Sequence, residues 1–412
     1  MTIFESRESN VRLYCRSFPV VFSRARGSEV FDTAGKRYID FLSGAGALNY
    51  GHNNETIKRR LVDYLSSDGI VHALDTHTVA KREFLEQFQQ TILYPRQLDY
   101  KVQFCGPTGT NSVEAALKLA RKVTGRTGVF AFTGAFHGMT LGSASISSGR
   151  QVRASTGIPL ANTTFIPYED GPRGPFDSLA YMERLLEDSC SGVDLPAAVF
   201  VETVQMDGGV YVASPEWLKG LRQLTQKHGI LLACDDIQAG CGRAGSFFSF
   251  ERAGITPDLV TLSKSISGYG FPMALLLMRP ELDQWRPGEH TGTFRGNQMS
   301  IVGATAALDF WKDGAFESSI QKSGQLLSRI LREQLAPGGA VRGIGMAYGI
   351  DLAQEGGYER ARQVQARCFK QGLIIELCGR HDTVLKVLPP LTTGAAQLEE
   401  GCAILHEALR AG

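Results

Sequence analysis

The sequence predicts an α/β chain: a mostly parallel sheet of seven strands with helices on both faces, joined to a smaller α+β domain. Three observations predict it. Seven short apolar runs fall between about residues 100 and 280, they are continuously apolar rather than alternating, and helical stretches separate them. A run that is apolar at every position suits a strand covered on both faces, as in parallel sheets. Strand–helix alternation then points to the α/β class.

Taken in order, residues 27–41, "GSEVFDTAGKRYIDF", read as a hairpin that turns at "DTAGK". The seven runs are "KVQFC" (101–105), "GVFAF" (128–132), "TTFIP" (163–167), "AAVFVE" (197–202), "GILLAC" (229–234), "DLVTLS" (258–263) and "MALLLM" (273–278). Helices are expected at Ser112–Thr124 and Ser214–His228. In the second, Ser214 supplies a cap, Pro215 takes the first helical position and the helix stops before Gly229. From Ser300 onward the texture becomes long amphipathic helices, with extended stretches at 341–352, 372–377 and 383–391. The division expected is 1–50 as a segment contributing to the small domain, 51–299 as the large domain and 300–412 as the C-terminal small domain. No repeat or low-complexity linker interrupts it.

Composition narrows the function classes. The chain has 412 residues, and its 43 basic residues nearly cancel 42 acidic ones, so no global field favours nucleic acid or anionic lipid. The first residues, "MTIFESRESNVRLYCRS", carry charge where a signal peptide needs an apolar stretch. The longest apolar runs are too short to span a bilayer. Eight scattered cysteines fit reduced thiols in a cytoplasmic protein.

Several short motifs carry chemistry. Lys264, in "PDLVTLSKSISGYG", follows an apolar strand and precedes a glycine-rich loop. An amine projecting from a strand end into a cleft loses solvation, which lowers its pKa and suits it to imine formation. "FCGPTGTNSVEAALKLAR" (104–121) is a strand, a Gly/Thr loop and a helix. Such a helix start attracts an anion, and lacking the spacing of a nucleotide loop it suits a single phosphate. "GAFHGMTLG" (134–142) places Phe136 and His137 in another strand-to-helix loop, where the phenyl ring could stack on a flat heterocycle. Glu202 ends a strand with Asp207 five residues on, and "GEHTGTFRGN" (288–297) offers hydroxyls at Thr291 and Thr293. In "LLACDDIQAGCGR" (231–243), Asp235 and Asp236 close an apolar run with Gln238 beyond them. Taken alone, this stretch admits a metal site, an ion-pair network or a cofactor contact. Together the pieces are what pyridoxal phosphate requires: a lysine, an acid for the pyridinium nitrogen, a helix start for one phosphate and a ring to stack. No metal is expected.

The chain resembles the class III, or omega, aminotransferases of the fold-type I pyridoxal-phosphate enzymes. The resemblance runs through "GKRYIDFLSGAGALNYGH", "DDIQAGCGRAG", "PDLVTLSKSISG", "GTFRGN" and "VLKVLPPL", essentially the whole chain. "ESNVRLYCRSFP", "GPTGTNSVEAALKLAR" and "SKSISGYGFPMAL" look closer still to the diaminobutyrate–2-oxoglutarate aminotransferases of ectoine biosynthesis. The resemblance implies Lys264 as the imine-forming lysine and proton carrier, and Asp235 opposite the pyridine nitrogen. It implies Gln238 at the ring's phenolic oxygen, Phe136 stacked on the ring with His137 beside it, and Glu202 near ring and substrate. Gly109 and Thr110 would hold the phosphate, with Thr293 reaching in from the second subunit of a homodimer. On the substrate side it implies Ala45, Asp207, Arg295 and Lys386. Many relatives carry a switchable glutamate–arginine pair where this chain has Asp207 and Lys386, and several carry an arginine where it has Met139. The implied reaction is ping-pong transfer between L-glutamate and L-aspartate 4-semialdehyde, giving 2-oxoglutarate and L-2,4-diaminobutyrate. Its rivals are an omega-transaminase for another diamine or amine, a racemase or aminomutase on the same scaffold, and a metal-binding α/β protein using Cys234, Asp235, Asp236 and Cys241.

Overall fold

A computed structural model describes residues 2–335 and 341–411. All seven apolar runs form one sheet: β1 (Lys101–Phe104), β2 (Val129–Phe132), β3 (Thr163–Ile166), β4 (Ala198–Val201), β5 (Leu231–Asp235), β6 (Leu259–Leu262) and β7 (Leu275–Met278). Their spatial order is β1-β7-β6-β5-β4-β2-β3, and only β7 runs against its neighbours. Alternate residues feed two cores. Val129, Ala131, Ala198, Phe200, Ala233 and Leu259 meet Val113, Ala116 and Ala120 of helix α1 (Gly109–Thr124). Phe130, Phe132, Val199, Val201, Leu232 and Cys234 face the opposite core. Two-sided burial is the physical reason the runs are apolar at every position.

Helix α1 starts at Gly109, three residues before the position that the sequence pattern suggests. Helix α2 (Pro215–Lys227) matches its signals, with the Ser214 hydroxyl accepting from the amide of Trp217 at 3.0 Å. The 29–40 hairpin forms as expected, and Asp32 Oδ1 accepts from the amides of Ala34 and Lys36, both at 2.9 Å.

One expectation is corrected and another gains detail. The helix Gln298–Leu308 (α3) is buried on all sides rather than amphipathic, wedged against the helices Glu55–Ser66 and Val79–Phe88. Small residues make this possible. A Cβ on Gly303 would sit 2.8 Å from the Ser267 carbonyl oxygen, and one on Gly268 2.5 Å from the Ala307 methyl. The turn that carries Lys264 is thereby pressed against a rigid helix. The extended run "GLIIEL" divides between two sheets. Leu373–Ile374 adds in parallel to Arg37–Asp40 of the N-terminal hairpin, whereas Glu376–Cys378 pairs with Val384–Val387 in a separate four-stranded sheet. Among the described residues no helix is long and apolar enough to cross a membrane.

Candidate active site

Side chains from the carboxyl ends of β2, β4, β5 and β6 and from the start of α1 line one cavity of about 200 Å³. Ligands of open parallel sheets bind at such ends. Lys264 stands two residues beyond β6, and its φ of +53° is unusual for a residue with a side chain. Positions of this kind persist where surrounding structure holds them, here α3. Burial pushes the Lys264 amine below its ordinary pKa, with Asp207 opposing that shift and Lys386 assisting it.

Asp235 ends β5 and shares its face with Ala233, toward α1. Its Oδ1 accepts from the Thr261 hydroxyl at 3.1 Å, and Oδ2 lies 2.6 Å from Nδ1 of His137. Asp236 points away and accepts from the Ser249 amide at 3.0 Å, and burial raises its pKa to about 7. The two acids that adjoin in sequence thus do different things. Cys234 and Cys241 belong to the hydrophobic core, and burial raises both thiols above their ordinary range. They make poor thiolate ligands.

His137 is buried, with Nε2 unpaired. Burial lowers its pKa, but the hydrogen bond and charge of Asp235, helped by Glu202, more than reverse this. Glu202, one residue beyond β4, accepts from the amides of Phe136 (2.9 Å) and Met206 (3.3 Å). Burial lifts its pKa to about 8, against His137 and with Asp235. The unfolded chain ionises this acid above 4.5 and the folded one only above about 8, so its contribution to stability is full below 4.5 and is lost as pH rises toward 8. Glu202→Gln is therefore expected to gain stability on the wild type between pH 5 and pH 8 in urea titrations. An equal difference at both pH values would contradict this.

Gly109 and Thr110 form the first turn of α1, where backbone amides have no intrahelical acceptor. The Thr110 hydroxyl also meets Thr140 (2.6 Å) and Ser143 (2.8 Å). Gln238 donates from Nε2 to the Ala45 carbonyl at 2.6 Å, which brings the Ser43–Gly46 turn to the cavity edge. Asp207 lines the cavity and Lys386 lies fully buried behind it, Nζ to Oδ1 2.5 Å. Thr293 and Arg295 are not in this cavity. Thr293 is exposed, and Arg295 pairs with Asp75 in a separate cleft with Lys101 and Trp285.

Sequence reasoning missed the apolar lining by Val204 and Ile237, although Ile237 stands between two named residues. It also missed Glu376, whose Oε2 lies 2.9 Å from Lys386 Nζ, and Tyr14, whose hydroxyl donates to Glu376 Oε1 at 2.7 Å. No local pattern marks either.

Residues 14–409 match the family description "Aminotransferase class-III". A protein of Halalkalibacterium halodurans called diaminobutyrate–2-oxoglutarate transaminase is 52% identical over 415 residues, covering 100% of this chain and 96% of that protein. One of the same name from Nocardia farcinica is 53% identical, covering 99% and 93%. The fold is similar to that of a Bacillus anthracis aminotransferase, with a TM-score of 0.86, 22% identity and 99% of each chain covered. The chain belongs to the class III aminotransferases, fold-type I enzymes that depend on pyridoxal phosphate.

Proposed function

We propose that the protein moves an amino group between L-glutamate/2-oxoglutarate and L-aspartate 4-semialdehyde/L-2,4-diaminobutyrate, in the cytoplasm and on a route to ectoine. The observation that carries this reading is the convergence of Lys264, Asp235 and Asp207, the last backed by buried Lys386, on one cavity. Relatives of that name at 52–53% identity over nearly the whole chain support the choice of substrates.

The residues fit pyridoxal phosphate. A sixteen-residue helix begins at Gly109 and Thr110, offering free amides and a hydroxyl to a phosphate. Asp235 would face the ring nitrogen, Phe136 and Ile237 the ring faces, and Gln238 the ring oxygen. Bound there, the cofactor supplies a carbonyl carbon for the amino group and a pyridinium ring that takes up the electron pair left when the substrate carbon loses its proton. The chain's own residues do the rest. Lys264 Nζ, partly desolvated, would take the proton from the substrate's reacting carbon and deliver it to the carbon that was the cofactor's carbonyl, the shift that turns the amine into a keto product. His137 fixes the orientation of Asp235 from behind. Asp207, backed by Lys386, faces the far end of each substrate in turn, as ping-pong exchange demands of one site. We propose the domain division at 50 and 299, with the lining residues of this cavity, Gly109 to Lys264, in the middle segment.

Thr293 and Arg295 lie outside the cavity of their own chain, beside exposed Phe294 and Leu74. We assign them to the neighbouring subunit's site in a homodimer or an assembly of such dimers, and sedimentation of the holoenzyme as a monomer would remove that assignment. A donor panel of L-2,4-diaminobutyrate, ornithine, 4-aminobutyrate and lysine, with 2-oxoglutarate as acceptor, tests the substrates. The diaminobutyrate reading requires the highest kcat/KM for that donor. Turnover of one amino acid without a keto acid would mean a racemase or aminomutase instead.

A further inference from the structure

Lys386 has two carboxylates and not one. Its Nζ is 2.5 Å from Asp207 Oδ1 and 2.9 Å from Glu376 Oε2, and the lysine side chain is wholly buried. The second contact is built into the sheet. Glu376 and Lys386 are cross-strand partners in the antiparallel pair Glu376–Cys378 with Val384–Val387, so their side chains share a face at close range. Tyr14, from the N-terminal segment, holds the other Glu376 oxygen at 2.7 Å. Glu376 Oε2 is buried and receives no aligned hydrogen bond, so Lys386 meets it as a charge only. Arg342, which donates to the Gly209 carbonyl beyond Asp207, is committed to Asp351 at 2.9 Å.

One ammonium thus faces two carboxylates, and the cluster carries a formal charge of −1. Asp207 is its only member lining the cavity with Lys264, and its side chain is 34% exposed against 12% for Glu376. Lys386 gives its hydrogen bond to Asp207 but shares its charge with Glu376, and whatever part of the surplus reaches the cavity does so at Asp207. A simple Asp–Lys pair would present a neutral end wall, tolerant of a carboxylate; this cluster presents an anionic one.

We propose that Glu376 is a specificity-determining residue: by engaging Lys386 from behind, it leaves Asp207 with unspent negative charge that receives the non-reacting ammonium of a diamino donor. This rests on the diamine reading above. Glu376 acts through Lys386 and Asp207 and does not itself touch the substrate.

The test uses holoenzyme of wild type, Glu376→Gln and Tyr14→Phe. Glu376→Gln is expected to raise KM for L-2,4-diaminobutyrate about tenfold, with kcat within about twofold and KM for L-glutamate unchanged or lower. Glutarate, a dicarboxylate without an amino group, reports the charge balance without transamination. By calorimetry it is expected to bind Glu376→Gln about tenfold more tightly than wild type. Tyr14→Phe, which frees Glu376 to turn away, is expected to move both quantities in the same direction by about threefold. Parallel losses for both donors, or unchanged glutarate affinity in Glu376→Gln, would overturn the proposal. If Glu376→Gln does not fold, an unchanged glutarate affinity in Tyr14→Phe overturns it equally. Should wild type fail to use diaminobutyrate, the substrate reading falls, and the glutarate measurement alone decides the role of Glu376.

Discussion

Lys264→Ala is expected to lower transamination on the order of 10⁴-fold, the upper range for removing a positioned proton carrier. The effect should appear in kcat more than in KM, because a proton in flight at the reacting carbon is a transition-state interaction. Purified wild type should show a visible cofactor absorbance that glutamate bleaches. The variant should lack that band while keeping its secondary structure. A variant that retains both band and bleaching would remove Lys264 from the centre of the chemistry. Among the described residues no other lysine lines the cavity, so no neighbour there is placed to substitute for it.

Asp235→Asn is expected to cost about 10²–10³-fold in kcat, the range for removing one preorganised electrostatic partner. The substitution keeps the shape and the contact to the Thr261 hydroxyl but removes the charge that would favour a protonated ring nitrogen. It also leaves His137 without its hydrogen-bonded carboxylate, and among the described residues Nε2 has no partner to compensate. The histidine should then titrate lower, since burial acts unopposed by its main partner. Ring-proton NMR of His137 would show this shift alongside the loss of rate. A variant with full activity would separate Asp235 from the cofactor nitrogen, and an unmoved His137 would mean that the pair does not set its charge.

How much of this was legible depended on whether the signal was local. Strand ends were legible, because an apolar run stops where the chain leaves the two-sided core, and Lys264, Asp235 and Glu202 each stand at such a stop. Ser214 and Pro215 marked a helix for the same kind of reason: the cap bonds within its own first turn. The start of α1 was less legible, since Thr108 makes no side-chain cap and Gly109 is a weak helix former. Buried on every side, α3 offers no polar face from which a helical period could be read. The break in "GLIIEL" left no trace, because both halves are apolar and only their partners differ.

By itself the sequence determined the α/β class, the seven strands, the candidate side chains at their ends, and, through resemblance, the family. Local burial and turn chemistry are written into consecutive residues, so a single chain suffices to read them. Tertiary structure alone decided which distant groups meet. His137 reaches Asp235 across 98 residues and Tyr14 reaches Glu376 across 362. Glu376 opposes Lys386 only because one antiparallel register pairs them. A one-residue slip would turn Glu376 to the other face and leave Lys386 with Asp207 alone. Register follows from packing across the whole domain, which residue order does not reveal. For that reason the sequence showed an Asp–Lys pair, and the fold made it a triad.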